Sequence, residues 1–163
     1  MGQRRLCHRF VPGLLLVAAC LPPDDKVAKP VVPVDPDVAA LVHTWVVADH
    51  IVGASSAITA SEAASFRGRH IEISRMGYVS PWQGTCEEAG RTKRTRSLGE
   101  IIGELDMSSS AASEATAFGL ADPVVEYRLS CTDRKRPPPL TVFVSHGRAM
   151  TCYGGVCFLM KSS

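Results

Sequence analysis

Residues 140–161, LTVFVSHGRAMTCYGGVCFLMK, decide the fold. Three short runs rich in β-branched, aromatic and aliphatic residues, 140–146, 149–153 and 156–161, are separated by His146-Gly147 and Gly154-Gly155. Glycine at such positions accepts positive φ without steric cost, so both dipeptides read as tight turns and the three runs as a meander of antiparallel hairpins. If Gly154-Gly155 is a two-residue turn, Tyr153 faces Val156 and Cys152 faces Cys157 as a non-hydrogen-bonded pair, where side chains come closest. That geometry suits a cross-strand disulfide. Two further cysteines, Cys86 and Cys131, then pair by elimination among the three possible connectivities, closing a long loop.

Outward from the meander the same short-strand pattern recurs. Residues 124–131 (VVEYRLSC) form a fourth strand, and 44–52 (TWVVADHIV) another, with Trp45 and Val47 on one face and Val46 and Ala48 on the other. Residues 69–75 (RHIEISR) alternate cleanly, while 78–80 and 91–96 carry a weaker signal. Thr59 with Glu62, and Ser97 with Glu100, are capping boxes that open short helices over 60–66 and 98–105. Asp37 is placed to cap one helical turn over 38–42, and the small-residue stretch 107–117 reads as a loop with a single turn of helix. Seven or eight short antiparallel strands with two short helices predict a mainly β fold, a small barrel or half-open barrel.

The chain has 163 residues, 18 of them Lys or Arg against 16 Asp or Glu. A net charge of +2 is too balanced for nucleic-acid binding through bulk charge, and 45% hydrophobic content excludes wholesale disorder. Arg4, Arg5 and Arg9 precede the apolar run 10–19 (FVPGLLLVAA), a basic then hydrophobic order that reads as a removable export signal over residues 1–19. Five prolines among residues 20–37 block helix and central strand, so this stretch is expected to be an extended tether. Residues 38–163 remain to form one β-barrel domain.

The signal closes on Val17-Ala18-Ala19-Cys20, and here the chain resembles bacterial lipoproteins, whose lipobox is an aliphatic residue, two small residues and cysteine. The resemblance implies cleavage after Ala19, acylation of Cys20 and a lipid anchor in the cell envelope, with Leu21 in place of aspartate favouring the outer membrane. Two or more acyl chains are enough for stable anchoring. Thr44-Trp45, early in the first strand, resembles the G-x-W of lipocalin-like barrels, with His43 in the glycine position. That likeness implies the barrel architecture and a core role for Trp45 at the barrel base.

No motif for catalysis is present. The chain lacks G-x-S-x-G, H-E-x-x-H, a Walker loop and G-x-G-x-x-G. Asp49-His50 with Ser55 or Ser56 has triad residue types, but neighbours on a strand point to opposite faces. Cys152 and Cys157 with His146 nearby make a poor zinc spacing, and an exported chain favours disulfides, so no metal and no cofactor are expected. Two basic clusters stand out: Arg91, Lys93, Arg94 and Arg96, and the run Arg134-Lys135-Arg136. Neither carries the interleaved aromatics of a nucleic-acid platform.

The expected function is therefore a non-catalytic envelope lipoprotein that binds another envelope protein, as an inhibitor, immunity partner or assembly accessory. Its contact surface is expected at exposed Arg91, Lys93, Arg94 and Arg96. The alternative is a lipocalin-like carrier of a small apolar ligand.

Overall fold

The Gly154-Gly155 turn sets the register of the last hairpin. In the computed structural model, which describes residues 36–132 and 137–163, both glycines have positive φ, 58° and 80°. Tyr153 pairs with Val156 and Cys152 with Cys157, as the turn geometry requires. Both expected disulfides are present, Cys152–Cys157 and Cys86–Cys131.

In chain order the elements are α1 (Pro36–Leu41), β1 (Thr44–Val52), α2 (Ala60–Ser65), β2 (His70–Ile73), β3 (Tyr78–Ser80), β4 (Gly84–Cys86) and β5 (Ala89–Arg96). They continue with α3 (Leu98–Glu104), α4 (Ala111–Phe118), β6 (Val124–Cys131), β7 (Leu140–Ser145), β8 (Arg148–Tyr153) and β9 (Val156–Ser162). The strands form one antiparallel sheet in the order β4-β3-β2-β1-β9-β8-β7-β6-β5, curled into a nearly closed barrel.

Closure comes from the two outermost strands, which are consecutive in the chain. Between them Glu87-Glu88 bend the backbone, so Gly84–Cys86 pairs with β3 and Ala89–Arg96 pairs with β6. Ala89 serves both sides, pairing with Cys131 while its N–H donates to the Met76 carbonyl at 2.7 Å. The Cys86–Cys131 bond fastens the same seam. A Cβ on Gly77 would stand 1.8 Å from the Cys86 carbonyl oxygen, so only glycine lets the chain pass there.

The sheet has two buried sides. Trp45, Val47, Ile71, Leu129, Val142 and Phe158 fill the barrel interior with their neighbours. On the outside, α3 and α4 cover Val124, Phe143, Met150, Cys157 and Leu159. Strands β7 to β9 are thus covered on both faces, which is why they read as continuous apolar runs. In β1 the register shifts between Val47 and Asp49, so Trp45 and Val47 point inward while Ile51 joins the outer cluster.

Both capping boxes form as expected at Thr59 and Ser97. The structure adds two elements to the expected set. Residues Gly84–Cys86 make a strand too short to leave an alternating pattern. Ala111–Phe118, expected as a loop with a single turn of helix, is a two-turn helix whose fully buried Ala111 and Ala115 let its backbone approach the sheet, ending at Gly119 with φ 107°. Helix α1 begins at Pro36, before the expected cap Asp37, because proline at the first helical position forgoes only an N–H that would be unbonded anyway. Trp45 is 1% exposed, and its Nε1 donates to the Leu41 carbonyl at 3.0 Å, tying α1 to the barrel.

Candidate functional site

The basic strand β5 is divided by its own pleat. Arg91 and Lys93 stand opposite Leu129 and Tyr127, on the side of the barrel interior, whereas Arg94 and Arg96 stand opposite Glu126 and Val124 on the outer side. Arg94 donates through Nε to Glu126 at 2.8 Å. Arg96 holds two carboxylates: Nη1 reaches Glu126 at 3.3 Å, and both Nη groups grip Glu104 at the end of α3. The hydrogen bonds to Glu104 raise the Arg96 pKa above its ordinary value, and those from Arg96 lower that of Glu104. Arg91 donates through Nη2 to the Ser74 carbonyl across the barrel seam.

This placement revises the expected partner surface. Arg94 is exposed, at 60% of its side chain, but the Arg96 side chain is only 11% exposed because α3 lies over it. Arg91 and Arg96 are joints between elements. What remains outside is a shallow groove of about 290 Å³ lined by Thr92, Lys93, Arg94, Glu126 and Arg128. Cys20, the lipobox, the tether and Arg134-Lys135-Arg136 lie outside the described residues.

The two ends of the barrel differ. At one end Trp82, in the β3–β4 turn, stacks on Phe158 at 4.4 Å between ring centres, with Phe66 edge-on to both rings. These rings plug that end. The other end holds a cavity of about 360 Å³. Its walls are Trp45, Val125, Tyr127 and Val144 from the starts of β1 and β6 and the end of β7, and its rim carries exposed His43 and His146. His43 sits edge-on to Trp45 at 5.4 Å.

His146 occupies the β7–β8 turn with φ 49°, a conformation that costs a non-glycine residue free energy. Its Nδ1 lies 2.7 Å from Oγ of buried Ser145. The same Oγ accepts the Ala121 N–H at 3.2 Å and donates to the Ala121 carbonyl in a very short contact. A serine has one proton to give, and here the carbonyl takes it. The pair is therefore a tie between the β7 end and the loop before β6.

With both cysteine pairs oxidised, no thiolate is open to zinc at Cys152 or Cys157. Among the described residues no three His, Cys, Asp or Glu side chains gather as metal ligands, and no helix is long and apolar enough to cross a membrane. The barrel mouth was missed by sequence reading because Trp45, Val125, Tyr127 and Val144 come from three strands. The one local signal was His146 before Gly147, a non-glycine residue in a turn position that demands positive φ. Compared with known proteins, the chain matches no family model, no curated protein and no solved structure.

Proposed function

We propose that this chain is a non-catalytic binding protein whose barrel mouth holds a small apolar molecule. The observation that carries the reading is the cavity of about 360 Å³ at the α1 end of the barrel, with Trp45, Val125, Tyr127 and Val144 as walls and a few polar groups at its rim. That is the size and lining of an ordinary small-ligand pocket. Exported and lipid-anchored through Cys20, such a barrel would hold its ligand at the envelope surface.

The test is recovery of the ligand. Protein purified natively from its own cells is extracted with organic solvent, and the extract is compared by mass spectrometry with that of Val125→Trp, which fills the mouth. A stoichiometric small molecule, lost in the variant without loss of melting temperature, supports the reading. No such molecule, together with no saturable uptake of small aliphatic probes, overturns it.

A second reading, contact with an acidic region of an envelope protein, rests on the groove at Thr92, Arg94 and Arg128. Arg128 is exposed and, among the described residues, makes no ion pair. Charge reversal at Arg94 and Arg128 should abolish capture of that partner, while capture that survives the double reversal would dismiss this surface.

A further inference from the structure

The rim of the barrel mouth carries a fixed hydrogen-bond polarity, and this inference rests on the ligand-binding reading above. Ser145 Oγ stands against three groups: the Ala121 N–H, the Ala121 carbonyl oxygen and Nδ1 of His146. If the hydroxyl proton pointed to Nδ1, Oγ would face the carbonyl oxygen at very short range with no proton between them. If it points to the carbonyl, all three contacts are satisfied, provided Nδ1 itself carries a proton and donates to Oγ. Only the second arrangement leaves no lone pairs opposed. In the neutral ring Nε2 is then bare and can only accept a hydrogen bond.

The surroundings restrict the ligand further. Among the described residues lining the mouth there is no Asp, Glu, Lys or Arg, so neither an ammonium nor a carboxylate head would meet a formal counter-charge. Burying an unpaired charge beside Trp45, Val125 and Val144 is costly, whereas a neutral head bonded at the rim is not. His146 lines the mouth from its strained turn position, fixed by Ser145 behind it. We infer that the mouth is a site for a neutral alcohol, its apolar body against Trp45, Val125, Tyr127 and Val144 and its hydroxyl donating to Nε2 of His146. Ser145 acts as a positioning residue that sets the tautomer.

The test compares heptan-1-ol with its methyl ether, 1-methoxyheptane, which keeps the oxygen and the chain but has no proton to donate. Binding is followed by calorimetry on the intact protein at about pH 8. One donated hydrogen bond predicts about tenfold tighter binding of the alcohol. His146→Gly, which takes positive φ freely, should bring the two probes to parity. Ser145→Ala, which releases the tautomer, should narrow the gap. Nitrogen-15 NMR of the unliganded protein should show Nδ1 protonated and Nε2 bare, with the Nε2 signal moving as heptan-1-ol is added.

Equal binding of ether and alcohol, an unchanged preference in His146→Gly, or a protonated Nε2 would each overturn the assignment. If neither probe binds, the ligand-binding reading falls and this inference with it. A bare Nε2 in that case would place the failure in the cavity and not in the tautomer.

Discussion

At Arg96 a single guanidinium holds together three elements, β5, β6 and α3, through Glu126 and Glu104. Its neighbour Arg94 bonds only Glu126 and is mostly in water. Removing the first strips Glu104 of its partner and weakens the clamp on buried Glu126, whereas removing the second leaves both carboxylates still bonded to Arg96. Arg96→Met should therefore lower the urea midpoint clearly more than Arg94→Met, and equal effects would show that α3 does not depend on the clamp. The same bonds make stability depend on pH. Glu104 has its pKa lowered in the fold by the hydrogen bonds from Arg96, below its ordinary 4.5. A depressed carboxyl stabilises the folded state fully above its unfolded value and loses that contribution as pH falls through the folded one. The stability difference between wild type and Glu104→Gln should be constant at neutral pH and shrink in acid below about pH 4.5, measured by denaturant titration. These bonds were illegible in the sequence. The cations were visible as a cluster, but Arg96 reaches carboxylates 8 and 30 residues away, on elements whose placement follows from the barrel.

Among the elements, the hairpins and capped helices were legible because each rests on local chemistry: two glycines, a cysteine pair in register, a serine three residues before a glutamate. Helix α4 was not, since the apolar face of SAASEATAF is almost wholly alanine and Ser110 makes no side-chain cap. Tertiary contact supplies what propensity lacks there. Its buried alanines are small enough for close packing on the sheet, and Gly119 ends it with φ 107°. Gly119→Ala should cost about 1–2 kcal/mol, from the left-handed backbone alone. The added Cβ would also crowd the Arg148 side chain at 3.3 Å. A melting temperature equal to wild type would mean that the helix ends differently in solution. The bulge in β1 was equally hidden, because nothing in the run from Val46 to Ile51 marks where the inner and outer faces exchange.

For the molecule as a whole, the two disulfides differ in what they tie. Cys152–Cys157 spans 5 residues across one hairpin, while Cys86–Cys131 spans 45 and fastens the barrel seam. By loop-closure entropy the first should contribute about 2 kcal/mol and the second about 4 kcal/mol. Replacing each pair by alanines in separate variants should reproduce that order in guanidinium titrations, with Cys86/Cys131 removal the more damaging. The reverse order would mean that the backbone pairing at Ala89 closes the barrel without help. The barrel class was readable from strand count and turns, but closure was not, since it depends on one bent segment shared between β3 and β6.

The central position of β9 in the sheet governs when the protein can fold at all. β1 has β9 as its main partner, joined along seven residue pairs from Trp45–Ser162 to Val52–Val156. A ribosome delivers β1 more than a hundred residues before β9, so during synthesis the first strand waits without its neighbour and no premature barrel competes. Pairing over such sequence separation is slow to nucleate. Delay of this kind leaves the nascent chain unclosed until its last strand emerges.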